Sequence, residues 1–551
     1  MKKINWFLLT ILSVATILRL PYLNTHMPAL YGDEIAIGYN AYSILKTGRD
    51  EFGKFMPLQF QSWGDQKNPV YIYAVTLVQF FTGPTAAAVR IPSALAGLLA
   101  VYLTYLLVRK LKLGEGTALT AAFLLAVTPW HIHISRGGYE ANLALTLGLA
   151  SVYLLLSWFE ERRQKQLVGS VLLLVLACYT YYTTKLFAPM LLTLVWAWSL
   201  WGKSWKKDIK PFVLYFGLTA VLAIPALYLA FFANGQARFA AINIFHDPLT
   251  VNRVIRARNF FTNPDSLLAK VAENKVTYYI SDFTTYYLDN FSGQFLFVGG
   301  DSNVRYGLAN HGMLYLIDAP IIAMGIILLY RKNRRAWLFL ILWWLLAPIP
   351  TALVGKAYGL RSLAILPIPQ IFAAYTLSVW YTWAKKSKVQ LWLLALFGIL
   401  YLFSMTNWLL RYIYQYPTYG RYWYDSAVKE EIEYAKARES QYDEIILSGA
   451  YGKTDIYYAY YLGIDPREYW ASQANKTTID GVSATHFGKY YFADLRPKGG
   501  VEDMHLPDKT LVIADPQFWY HEDQILAKDD GRVLFQVYAI PTIGERHGQK
   551  P

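Results

Sequence analysis

Apolar residues recur along this chain in blocks of about twenty, separated by short polar stretches. A block of that length, wound as a helix, crosses about 30 Å of hydrocarbon. Eleven can be threaded, at roughly 4–22, 87–108, 117–134, 141–158, 167–182, 186–201, 212–232, 313–330, 336–354, 362–382 and 390–410. The pattern predicts a polytopic α-helical membrane protein of about eleven spans. One apolar stretch, Pro69 to Phe81, is only about 13 residues long. That length suits an interfacial or re-entrant helix better than a span.

Three longer segments interrupt the blocks: 23–86, 233–312 (rich in Tyr, Asn and Asp) and the tail 411–551. The tail changes pattern. Residues 443–448, 510–514 and 533–538 read as short strands, and 454–462 as a helix. The expected organisation is a membrane domain over 1–410, carrying the loops 23–86 and 233–312, followed by a small α/β domain over 411–551. The end, 544–551, reads as frayed.

Charge orients this arrangement. The net charge is +14, but only 16% of residues are charged and 55% are hydrophobic. The basic residues cluster in short connections: Lys2-Lys3, Arg109-Lys110-Lys112, Arg162-Arg163-Lys165, Lys203 to Lys210, Arg331 to Arg335 and Lys385 to Lys388. Positive charge marks the cytoplasmic side of a membrane protein, so the excess reports topology and not nucleic-acid binding. Eleven spans satisfy every cluster with the N-terminus cytoplasmic and the tail extracytoplasmic, in a cell (plasma or inner) membrane. Counting Pro69 to Phe81 as a span would put five clusters outside. The first block follows Lys2-Lys3 like a signal sequence but has no small-residue cleavage site before Pro21, so it reads as a retained helix. The single cysteine, Cys178, excludes an intrachain disulfide and gives no support for a thiolate metal site.

The candidate chemistry lies on the outer side. Asp33-Glu34 open the first outer loop, just ahead of Ile35, Tyr39 and Tyr42 at helical spacing. Two acids there can cap a helix and favour its dipole, or they can present a catalytic carboxylate to a lipid-borne substrate. Lys67, in Gln66-Lys67-Asn68-Pro69, stands at the entrance of the interfacial helix. It can meet a lipid phosphate or snorkel to headgroups. The turn His131 to Glu140 carries Arg136 and a further acid, Glu140. His131 and His133 are two apart, poor spacing for two metal ligands on one helical face, and read as polar packing or substrate contacts. Lys185, Lys356 and Arg361 fall at the outer ends of later spans. Ionic groups at membrane depth are costly to desolvate, so a set of them on one face reads as functional.

These residues resemble the GT-C class of polyprenyl-phosphate-sugar glycosyltransferases. Within it they are most similar to bacterial family-39/83 enzymes related to protein O-mannosyltransferases and lipid A aminoarabinose transferase. The resemblance covers about 1–410. It rests on Asp33-Glu34, Gln66-Lys67-Asn68-Pro69, Arg90 to Gly97, Ser135-Arg136 followed by Glu140, and Leu360-Arg361 followed by Leu366-Pro367. Gln66 stands where the family often has an acid, and Glu140 where it usually has Asp. The resemblance implies that Asp33 is the catalytic group and that Lys67 and Arg361 contact the donor phosphate; Lys185 and Lys356, on the same face, are secondary candidates for that contact. It implies a lipid-linked sugar donor and a glycan, lipid or protein acceptor, with no nucleic acid involved. Some members of the class use a divalent metal, but Asp33-Glu34 lack a spaced Asp-x-Asp pattern and cations can neutralise the phosphate, so metal-independent transfer is favoured and no other cofactor is expected. Competing readings are a transporter or flippase of lipid-linked sugars, a ligase using a diphosphate-linked donor, and a receptor with an outer sensing domain. The tyrosines from Tyr457 to Tyr461 suit either sugar stacking or a packed helix.

Overall fold

The computed structural model describes residues 5–27, 29–62, 65–201, 208–232, 243–246, 248–448, 454–495, 504–514, 525–527 and 533–539. The chain forms two compact units that do not follow its linear order. One gathers 1–21, 65–71 and 90–412; the other gathers 22–64, 72–89 and 413–551. The basic stretch 203–207 and the end 544–551 lie outside the described residues.

The first unit is a helix bundle. Every stretch expected to span carries a helix, among them Trp6–Arg19, Ala86–Lys110, Glu140–Glu161, Gln164–Cys178, Tyr182–Leu200, Ile209–Phe231, Asp318–Lys332, Arg334–Leu346, Ile368–Ala384 and Lys388–Leu410. Among the described residues, six helices are long and apolar enough to cross a membrane, or seven if the bent pair Glu115–Val127 and Pro129–Arg136 is one span. The expected eleven is not reached by that measure. Trp6–Arg19 and Gln164–Cys178 have 14 and 15 residues, a rise of about 21–23 Å. The interfacial stretch is the 14-residue helix Pro69–Thr82.

Close approach and buried polar pairs hold the bundle. A Cβ on Gly325 would lie 2.0 Å from the Phe372 carbonyl oxygen, so only glycine lets those two helices meet. Ser151 Oγ donates to the Ser170 carbonyl at 2.8 Å, and Ser170 Oγ meets the Tyr215 hydroxyl at 2.7 Å.

The bend between Glu115–Val127 and Pro129–Arg136 is 56°, and its cause is local. Pro129 has no N–H to donate to Leu125, four residues back. Trp130 N donates instead to the Met313 carbonyl at 3.1 Å, so Ala126 also loses its helical donor. Arg19, fully buried, replaces both. Its guanidinium donates to the carbonyls of Ala126 at 2.8 Å and Leu125 at 3.2 Å, and meets His131 Nδ1 at 2.9 Å. His133 Nε2 meets the Arg305 carbonyl at 2.8 Å. Both histidines therefore serve polar packing.

The segment 233–312, anticipated only as a long loop, is helical over Leu249–Arg258, Leu267–Ala272 and Lys275–Asp289. Arg253 and Asp282 pair through two 2.8 Å hydrogen bonds.

The second unit is built on a seven-stranded sheet. Its order is Thr477–Ile479, Val482–Phe487, Tyr490–Ala493, Glu444–Ser448, Thr510–Ala514, Val533–Ala539, Ile525–Ala527. The central strand Glu444–Ser448 is parallel to both neighbours, with Ile445 opposite Tyr490 and Leu511. The remaining pairs are antiparallel. Ile446, Ile479, Ala484, Leu495 and Val512 form an apolar core. The expected helix is present as Thr454–Leu462. It packs on the first-loop helix Gly32–Thr47: a Cβ on Gly38 would come within 2.8 Å of the Tyr460 ring. Gln79 Nε2 donates to the Gly38 carbonyl at 3.0 Å, and Tyr42 donates to the Gly463 carbonyl at 3.2 Å. Tyr457, Tyr458 and Tyr460 are buried, which favours the packed-helix reading of that tyrosine run over sugar stacking.

Candidate active site

In the second unit the adjacent acids take different environments. Tyr31 is extended at the N-cap of Gly32–Thr47. Glu34 folds back, fully buried, and its Oε2 accepts from Tyr31 N at 3.4 Å. The capping reading thus falls on Glu34. Asp33, in the same first turn, is exposed. Gly32 N donates to Asp425 Oδ2 at 3.2 Å, which anchors the start of the helix. Further on, Glu51 is buried and accepts from Asn40 Nδ2 at 2.9 Å and Ser62 Oγ at 3.1 Å. That carboxylate was not singled out from sequence, and its partners make it a brace for the loop.

In the first unit the Gln66-Lys67-Asn68-Pro69 stretch is buried and tied to the turn before Tyr182–Leu200. Tyr182 donates through its hydroxyl to the Gln66 carbonyl at 3.0 Å. Lys185 Nζ donates to Asn68 Oδ1 at 2.9 Å and lies 4.1 Å from the centre of the Tyr182 ring. Lys67 and Lys185, about 120 residues apart in sequence, thereby stand on adjoining segments. Asn68 is the residue that joins them.

Arg361 sits on a loop held from several sides. It stacks on Tyr358, 4.7 Å from the ring centre. Gly359 N donates to Asp301 Oδ2 at 2.5 Å, and the Gly359 carbonyl accepts from Trp130 Nε1 at 2.6 Å. Ala357 N donates to Asp289 Oδ2 at 3.0 Å, and Ser362 Oγ donates to Asn290 Oδ1 at 2.5 Å. Burial pushes the Asp301 carboxyl up from 3.8 to about 6, while the N–H groups of Asn303 and Gly359 and the charge of Arg361 pull the other way. Asp301 was not singled out from sequence either. The turn Gly299-Gly300-Asp301, with Asn303 following, was its available signal. Lys356 on the same loop is exposed.

Arg361 lines a narrow apolar groove between Glu140–Glu161 and Tyr182–Leu200. Ala141, Leu145 and Leu149 form one wall, and Phe187 and Leu191 face them from the other; Thr183 and Thr184 add hydroxyls. Glu140 is the first residue of its helix, immediately before lining residue Ala141, and Lys185 follows Thr184 directly. Arg136 serves elsewhere: it donates to the carbonyls of Leu18 at 3.2 Å and Pro21 at 2.8 Å. The Arg90 to Gly97 stretch packs against this turn, with Ser93 Oγ donating to the Ile134 carbonyl at 3.2 Å. Among the described residues there is no group of three or more His, Cys, Asp or Glu side chains placed to hold a metal ion.

Comparison with known proteins bears on the sequence family and the fold. Residues 66–230 match the family described as dolichyl-phosphate-mannose-protein mannosyltransferase. A Bacillus subtilis (strain 168) protein that carries a mannosyltransferase designation, YycA, is 32% identical over 146 residues, which are 26% of this chain and 21% of that protein. The chain thus matches about a fifth of the length of this curated relative. The structure of ArnT from Cupriavidus metallidurans bound to undecaprenyl phosphate superposes with a TM-score of 0.51 at 12% identity, covering 98% of both chains. The Archaeoglobus fulgidus oligosaccharyltransferase tethered to an acceptor peptide superposes with a TM-score of 0.50 at 14% identity, covering 83% of this chain and 63% of that one. At such identities the likeness concerns the fold.

The chain thus carries the fold of these membrane proteins, and over 66–230 it resembles the dolichyl-phosphate-mannose-protein mannosyltransferase family. The matched stretch carries Gln66-Lys67-Asn68-Pro69, Arg136, Glu140 and Lys185.

Proposed function

We propose that this protein transfers a sugar from a polyprenyl-phosphate donor to a hydroxyl of a glycan, lipid or protein acceptor at the outer face of a cell membrane. The observation that carries the reading is the apolar groove headed by Arg361. An isoprenoid chain is apolar along its length and anionic at one end, and this groove has the complementary pattern. Lys67 and Lys185 stand on adjoining segments and supply further positive charge, with Lys356 an outlying cation. The donor phosphate is the leaving group. Cations aimed at its oxygens stabilise the charge that develops as the sugar–oxygen bond breaks.

In the same step the acceptor oxygen bonds to the anomeric carbon and its proton passes to Asp33, the exposed carboxylate of the first loop. A single displacement inverts that carbon. Glu140, at the helix end beside the groove, is a second carboxylate available to orient the sugar or acceptor. The reading has the N-terminus cytoplasmic and the sheet-bearing unit extracytoplasmic, as the basic clusters require. It routes no step through a metal.

The test is transfer by purified full-length protein in nanodiscs, offered radiolabelled undecaprenyl-phosphate sugars and a membrane extract as acceptor. Label is expected to move to the acceptor with inversion, and to stay on the donor with Asp33→Asn. Donor that is neither consumed nor bound, across several sugars, refutes the reading and favours transport or a diphosphate-linked donor.

A further inference from the structure

A second cleft of the helical unit lies among the basic clusters. It forms where Ala86–Lys110, Glu140–Glu161 and Tyr182–Leu200 end and Arg334–Leu346 begins, and has a volume of about 210 Å³. Lys110, Lys112, Glu160, Trp198, Ser199, Asn333 and Arg335 supply its polar lining, over a floor of Leu156 and Phe159. Three cations against one carboxylate leave the lining at +2 (three minus one).

Basic residues near helix C-termini also complement the helix dipole and mark topology. Neither role requires a cavity, and three details of this one point to a ligand. Ser199 Oγ is buried and, among the described residues, has no hydrogen-bond partner, although it lines the space. A buried hydroxyl in that state normally has a partner, and here the space beside it is where one would sit. Lys112 stands just past the end of Ala86–Lys110 with φ of +58°, and among the described residues its amine has no partner. A lysine in the left-handed region is uncommon, and this turn sets it on the cleft lining. Arg335 is held in place by Trp198: its Nη2 donates to the Trp198 carbonyl at 2.9 Å, its guanidinium stacks 4.7 Å from the ring centre, and Trp198 Nε1 donates to the Arg335 carbonyl at 2.8 Å. One donor is used there, which leaves the rest of the fork for an anion. Lys110 is already committed to Glu160 at 2.6 Å.

We propose that this cleft binds the phosphodiester headgroup of an anionic membrane lipid, with Lys112, Arg335 and the Ser199 hydroxyl donating to its phosphate oxygens. A net charge of +2 suits a singly charged phosphodiester, and the apolar floor suits the glycerol backbone and first methylenes beside it. Basic pockets between membrane helices commonly hold such headgroups. The site is separate from the Arg361 groove and stands whether or not the chain transfers sugar.

The test uses the full-length protein in nanodiscs of phosphatidylcholine doped with phosphatidylglycerol, and native mass spectrometry reads which lipid is retained. Phosphatidylglycerol should be retained over phosphatidylcholine. Lys112→Gln alone, at an exposed position, should weaken retention about fivefold, and Lys112→Gln with Arg335→Gln about 25-fold, taking each cation at its usual surface worth. Lys386→Gln with Lys388→Gln removes the same charge at residues that do not line the cleft and should change retention less than about twofold. Melting in pure phosphatidylcholine discs checks that each variant is folded. Equal retention of both lipids, or equal losses in the two double variants, overturns the proposal. So does full displacement of the lipid by inorganic phosphate at millimolar concentration, which would make the ligand a soluble anion.

Discussion

Asp301 offers the sharpest physical test of how Arg361 is held. The carboxyl is buried, and burial raises it from 3.8 to about 6. It nevertheless accepts from Asn303 N at 2.8 Å and from Gly359 N, and so fixes the loop that carries Arg361. Between pH 3.8 and about 6 the folded protein therefore holds a proton that the unfolded chain has released. Stability falls with pH wherever the native state binds more protons, so it should fall across that window and level off above it. The separation from 3.8 to about 6 corresponds to about 3 kcal/mol. Scaled by unfolding entropy to a unit of this size, that is roughly 4 °C in melting midpoint. Asp301→Asn cannot ionise and keeps one acceptor for an N–H. The assay is the melting midpoint in nanodiscs at a fixed scan rate, from pH 4 to pH 7.5, for both proteins. Other carboxylates contribute equally to the two curves, so the difference between them isolates Asp301. Relative to wild type, the variant should gain about 4 °C between pH 4 and pH 6.5. Parallel curves would mean that burial does not govern this carboxyl, and the account of the loop would fail.

Other expectations follow from the same structure. Asp33→Asn should lower transfer at least about 100-fold with insertion and melting unchanged; normal turnover would remove Asp33 from the mechanism. Glu34→Gln keeps an acceptor for Tyr31 N–H and should leave transfer within about twofold, whereas a loss like that of Asp33→Asn would make Glu34 catalytic. Arg361→Ala should reduce kcat/KM for the lipid donor about 10–100-fold, read by donor titration; an effect on acceptor affinity alone would contradict the phosphate assignment. Arg19→Met strands the Leu125 and Ala126 carbonyls, each worth about 1–3 kcal/mol, and a melting midpoint within 2 °C of wild type would show that the bend does not depend on it.

What the chain discloses by itself is its local order. Apolar blocks of helical length, Pro69 to Phe81 as a short helix, and the tail's alternating runs were each legible, because helix and strand formation depend on neighbours a few residues away. The tail strands at 444–448, 510–514 and 533–539 and the helix Thr454–Leu462 lie where that pattern puts them. Candidate ions were legible too, since Lys67, Lys185 and Arg361 stand out against apolar surroundings. Their division of labour was not. Glu34 turned to its own helix and Arg136 to the carbonyls of Leu18 and Pro21.

The tertiary structure decided whatever depends on partners far along the chain. Arg19, unremarked in the sequence, replaces donors lost at a proline 110 residues later. Asp301 holds Gly359, Asn68 holds Lys185, and the first loop packs with the tail while the segment between them builds the bundle. A buried carbonyl or carboxyl must find a partner once water is excluded. Periodicity announces that such a need will arise, but only the packed chain determines which residue meets it.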